Sequence, residues 1–339
     1  MTRALYAAWP DEARRTWGWA ALALTVAGFA LSGVVILAGS AMYAGVLAFG
    51  GADPAEIQQR MTGDTLTFML PLVLVQFIVW GGLTVVWIKA FERRPIATIG
   101  LGPGAAPRYL LGLVLGVVLV IAIGAAALTL GARGEAIDAV GSAAVAGIPP
   151  AGAVLAVLLG CSVFLVQGAA EEIVFRGWLM SALAARWGVT AAVIVSSGFF
   201  MVFHAHVFVS GFAFGLVALL GLGLTGLAFA LLCVLTRSVW EAVAAHGAFN
   251  AAAVGAPTLA LLFEDPSLSA KAAFAEVFSR ATGMAGPDST IVGPETFGQA
   301  LAAGVISAVL AVLIARRAGR RGRHAGTGPD HEREGRPEQ

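Results

Sequence analysis

The chain has 339 residues, 58% of them apolar and 12% charged, with a mean hydropathy of +0.85. Soluble domains carry roughly a quarter charged residues, so most of this surface requires lipid rather than water as its solvent. A net charge of +1 excludes a global pull toward nucleic acid, and the two cysteines, Cys161 and Cys233, sit in apolar runs without disulfide or metal-ligand spacing.

A membrane-spanning helix needs roughly 20 mostly apolar residues. Eight stretches meet that rule in chain order: about 17–49, 66–91, 109–131, 151–170, 188–204, 209–235, 239–263 and 297–315. The first is far longer than the apolar region of a signal peptide. The fifth is the weakest, being short and carrying Ser196, Ser197, His204 and His206. Between the fourth and fifth, residues 176–187 mix arginine with tryptophan and leucine, which predicts an interfacial helix or tight turn. The loop 264–296 is the longest on its side, with room for a short surface helix. The residues from 316 onward are charged and contain Gly and Pro, which predicts a disordered tail.

Basic residues at the segment ends set the orientation. Arg3, Arg14, Arg15, Lys89, Arg93, Arg94, Arg108, Arg176, Arg186, Arg237, Arg316, Arg317, Arg320, Arg321 and Arg323 fall on one side of an eight-span chain. Only Arg60, Arg133, Lys271 and Arg280 fall on the other. The expectation is an all-α polytopic membrane bundle of about eight transmembrane helices with both termini cytoplasmic. Residues 1–315 form one transmembrane domain and 316–339 the cytoplasmic tail. An Ala-, Gly- and Arg-rich composition suits a GC-rich bacterial genome, and hence a bacterial inner membrane.

Ionisable residues inside apolar segments are costly and default to functional candidates. They form three groups here. Glu171-Glu172-Ile-Val-Phe-Arg176 is expected at the cytoplasmic end of the fourth segment. Glu172 and Arg176 share a helix face and can pair. Glu171 points about 100° away and stays free, which gives two adjacent carboxylates different roles. Phe200-Met-Val-Phe-His204 follows, with His206 facing away from His204 on a continuing helix and read as a bystander. In His246-Gly-Ala-Phe-Asn250, the histidine and asparagine again share a face, while Glu241 is read as interfacial. One carboxylate, two imidazoles and an amide meeting in a single cavity make a hydrolytic set: a base for water, a proton carrier, and donors for an oxyanion. Glu171, His204 and His246 are also candidate ligands for a divalent metal such as zinc, although no His-Glu-x-x-His motif is present.

The three motifs EEIVFR, FMVFH and HGAFN, in this order on separate segments, resemble the CAAX prenyl protease type II family and its bacterial relatives, the CPBP or Abi proteins. The resemblance covers about 160–255 and centres a protease core on about 150–263. It implies a membrane endopeptidase, labelled in part of the family a metalloprotease, with a cytoplasm-facing cavity and a membrane-associated protein or peptide as substrate. It assigns Glu171 and His204 to water activation, His246 and Asn250 to the oxyanion, and Glu172 and Arg176 to holding the site. Two other readings fit the same residues: a non-catalytic bacteriocin-immunity or scaffold protein, and a proton-coupled transporter. The chain shows no internal repeat of the kind many transporters carry.

Overall fold

A computed structural model describes residues 5–131, 147–281 and 294–325, and every regular element in these ranges is helical. The principal helices are α1 Gly18–Phe49, α2 Pro54–Gly63, α3 Leu70–Val86, α4 Ala105–Thr129, α5 Ala151–Glu172, α6 Met180–Phe203, α7 Phe212–Thr236, α8 Trp240–Glu264, α9 Ala270–Ala281 and α10 Pro294–Ala325. In lipid a helix satisfies its own backbone groups, so long apolar runs have little alternative. The two short helices, α2 and α9, lie between spans. Asp53 caps α2 by accepting from the Glu56 backbone N–H. The surface helix expected in loop 264–296 is α9, which buries Phe274 and Val277.

Among the described residues, seven helices are long and apolar enough to cross a membrane. The difference from eight lies in one continuous stretch, Ala151–Phe203, which contains both the fourth and the fifth expected segments. That stretch is not straight. At Gly188 the backbone adopts φ 83° and ψ 163°, a conformation open to glycine, and the chain folds back on itself. Phe175 and Phe203 would lie about 42 Å apart along a straight helix. Their ring centroids are 5.4 Å apart, and Ser196 Oγ donates to the Phe175 carbonyl.

Residues 176–183 are buried in the core rather than laid on the membrane surface, because they sit inside this folded-back hairpin. Arg176 and Arg94 are likewise internal, at 0% and 2% exposure, so neither contributes to the surface charge pattern. Arg3, Arg133 and residues 326–339 lie outside the described residues. Helix α10 runs through to Ala325, where an irregular tail was expected from 316. Alanine and arginine are strong helix formers, and Arg317 donates to the Leu235 carbonyl of α7.

Helices α5 and α8 form the centre. Helix α8 packs on α4 and α5, α10 packs on α7 and α4, α6 packs on α7, and α3 lies between α1 and α5. The outer faces carry exposed Val114, Val117, Val118 and Ile121 on α4 and Leu155, Leu158 and Leu159 on α5, as lipid contact requires.

The segment before α1 is locked into one end of the bundle. Leu5 and Tyr6 are buried. The Tyr6 hydroxyl donates to the Arg176 carbonyl (2.7 Å), and Arg237 donates to the Tyr6 carbonyl (2.6 Å). Thr16 donates to Glu92, and Glu92 pairs with Arg94 at 2.7 Å. Arg94 also reaches Ser181 and lies 3.9 Å over the Trp9 ring.

Candidate active site

Two glycines bring the charged motifs together. A Cβ on Gly168 of α5 would sit 2.6 Å from the Gly247 nitrogen of α8, and one on Gly247 would sit 2.8 Å from the Leu165 Cα. Only glycines allow this approach, and it sets His246 against the end of α5. Past Glu172 the helix widens into i→i+5 turns over Ile173–Leu179, a distortion often found at functional sites.

Glu172 and Arg176, both at 0% exposure, pair at 2.9 Å as the i,i+4 spacing predicts. The second Nη of Arg176 donates to the Gly226 carbonyl of α7 (2.9 Å), and its guanidinium lies 4.2 Å over the Phe200 ring. Glu172 also contacts His246 Nδ1 at 2.8 Å. One carboxylate oxygen thus receives both a guanidinium and an imidazole. Since that oxygen accepts, Nδ1 carries the proton and Nε2 is turned toward Glu171, 3.6 Å from Oε2. Phe200 and Phe229 wall the imidazole, with centroids 5.8 and 5.2 Å away.

Glu171 is free of the Glu172–Arg176 pair and lines a cavity of about 130 Å³. His204 and His206 share that cavity with Gln167 and the rings of Phe29, Phe77, Trp80, Phe175 and Phe203. The His204 Nδ1 contacts the Phe200 carbonyl at 2.9 Å, so Nδ1 donates and Nε2 is left as the working nitrogen. His206 is not turned away. Helix α6 stops at Phe203 and a tight turn over Ala205–Ser210 follows, which brings the two imidazoles within 5.9 Å.

Asn250 lies one turn beyond His246, half-buried, and is not among the lining residues. Glu241 is buried rather than interfacial, paired with Arg108 at 3.0 Å. Glu171 is not at a surface end either. The chain continues helically from it to the turn at Gly188, so the carboxylate sits deep in the bundle. One turn after Glu172, in the widened turns, the Arg176 carbonyl meets Tyr6, whereas Gln167, one turn before Glu171 on α5, lines the cavity. His206 is the exposed member of that lining. Gln167 and His206 thus lie on the side of the site away from Tyr6.

Among the described residues no three His, Cys, Asp or Glu side chains form a group able to hold a metal ion. Both imidazoles have Nδ1 engaged, by Glu172 and by the Phe200 carbonyl. Glu171, His204 and His246 are not gathered into a three-ligand group among the described residues, although Nε2 of each imidazole stays open.

Gln167, Tyr6 and Gly226 were not singled out from the sequence. Gln167 had a usable signal: it is a polar residue in an apolar run, four positions before Glu171 and on its face. Gly226 acts through its own carbonyl and Tyr6 donates its hydroxyl to the Arg176 carbonyl, and such backbone contacts leave no trace in a motif.

No curated protein and no solved structure matches the chain. Residues 153–252 match the family model described as Type II CAAX prenyl endopeptidase Rce1-like, a stretch that contains α5, α6, α7 and the first half of α8 with all three motifs.

Proposed function

Starting from a chain whose residues 153–252 form an Rce1-like type II CAAX prenyl endopeptidase domain in a multi-pass membrane bundle, we propose that it hydrolyses a peptide bond in a membrane-associated protein or peptide with a water activated by Glu171 and His204. The observation that carries this reading is the environment of Glu171. It is a buried carboxylate lining a cavity with His204, while one oxygen of its neighbour Glu172 takes both Arg176 and His246.

Glu171 takes a proton from water as the oxygen attacks the scissile carbonyl, and His204 Nε2 orients that water. The carbonyl becomes a tetrahedral oxyanion. With a proton on Nε2 as well as Nδ1, His246 donates to that oxygen, and Asn250 adds an amide donor once substrate is seated. With Glu171 protonated, the charges of Glu172, Arg176, such a His246 and the oxyanion sum to zero. The proton held by Glu171 passes to the departing amine, the C–N bond breaks, and a carboxylate and an amine leave. The cavity is close in size to one that holds a benzene ring, so it accepts one side chain beside the scissile bond.

The test is cleavage of a membrane-peptide library by purified wild type and by Glu171→Gln, each with and without a chelator. Loss in the variant with survival in chelator is the expected result. Loss of wild-type cleavage in chelator would replace the glutamate-activated water by a metal-activated one. No cleavage at all by the wild type would favour a scaffold or immunity protein.

A further inference from the structure

Glu171 has two oxygens in different situations. Oε1 accepts from Gln167 Nε2 at 3.1 Å. Oε2 is buried, has no hydrogen-bond partner and stands 3.6 Å from His246 Nε2. Gln167 is one turn before Glu171, on the same face of α5, and lines the same cavity. A carboxylate oxygen can only accept from a neutral amide, so the NH₂ group and not the carbonyl of Gln167 must face it.

We propose that Gln167 is a positioning residue: it ties down one oxygen of Glu171 and so aims the other at the water and the scissile carbonyl. The catalytic part of this rests on the protease reading above, whereas the hydrogen bond does not. A glutamate side chain has three rotatable bonds, and the hydrogen bond from Gln167 restrains them. A catalytic base gains from being held within a fraction of an ångström of its working geometry. Helix α5 supplies this restraint from its own preceding turn. Glu172 could not supply it, because its bonds run to Arg176 and His246.

The informative variants are Gln167→Leu, which keeps the bulk without a donor, and Gln167→Met, which keeps the length without one. Each is measured on a peptide cut by the wild type. The expected result is a roughly tenfold fall in kcat with KM within about twofold, since a hydrogen bond to a charged group carries about that weight. Thermal unfolding in detergent stays at the wild-type temperature. Adding Gln167→Leu to Glu171→Gln causes no further loss, because Gln167 acts through Glu171 alone. Unchanged kcat, or a fall matched by a lower unfolding temperature, would overturn the role.

A second measurement needs no substrate. Infrared difference spectra of protein with ¹³C-labelled glutamate, wild type minus Glu171→Gln, isolate the Glu171 carboxyl band. That band should move in Gln167→Leu. An unmoved band overturns the hydrogen bond itself. Failure to cleave any peptide would instead bring down the protease reading and with it the catalytic role, while the band would still report the contact.

Discussion

Replacing Arg176 by alanine removes the cation that holds three elements to one point. Its side chain is fully buried and makes two bonds of 2.9 Å, one to the Glu172 carboxylate and one to the Gly226 carbonyl, besides its contact with the Phe200 ring. The variant strands a buried carboxylate and leaves a carbonyl in α7 without its donor. Removing one partner of a buried ion pair costs about 3–5 kcal/mol, well above the 0–1 kcal/mol of an exposed pair. At roughly 2–4 °C per kcal/mol, the unfolding temperature in detergent should fall by about 10 °C or more. Arg176→Lys should recover only part of this, since an ammonium cannot serve both the carboxylate and the carbonyl with a planar fork. Replacing Arg176 and Glu172 together by methionine should restore most of the stability and none of the cleavage. The assay is unfolding of purified protein followed by tryptophan fluorescence, alongside peptide cleavage. Arg176→Ala melting within a degree or two of wild type would refute the reasoning that Glu172 depends on this cation.

Two further predictions concern packing and access. Gly168→Ala places a methyl 2.6 Å from the Gly247 nitrogen, so α5 and α8 must part. It should lose about 1–3 kcal/mol and most of the cleavage, both measurable on one preparation. Cysteines introduced at Arg93 and at His206 should react with a membrane-impermeant thiol reagent from opposite sides, because His206 lies on the side of the site away from the N-terminal segment. Labelling of both from one face of intact cells would contradict this placement.

Much of the site was legible because ionisable side chains are rare in these segments. The i,i+4 spacing of Glu172 and Arg176 fixed their pairing, and the freedom of Glu171 followed from its position one residue earlier. The contact between His246 and Glu172 was not legible, since it depends on two glycines 79 positions apart touching across helices. His206 was misjudged because helix α6 stops at Phe203, and the sequence there offers no proline or glycine to announce the stop. Depth was misjudged for a related reason. Residues 176–187 look amphipathic when read alone, but folding back at Gly188 buries their polar members Arg176 and Ser181. The expectations of a cytoplasmic N-terminus and a cytoplasm-facing cavity are tested by the labelling pair above.

The lock on the Leu5–Trp17 segment has a consequence for how the protein is made. Tyr6 is bonded to residues 170 and 231 positions later in the chain. During synthesis it leaves the ribosome long before either partner exists. Tyr6 must wait until α5 and then α7 have been inserted before it meets both partners. Contacts so distant in sequence slow assembly. A nascent chain halted after α4 would already hold Trp9 and Thr16 on Arg94 and Glu92 but would leave Tyr6 without either partner, a mark by which an unfinished copy differs from a finished one.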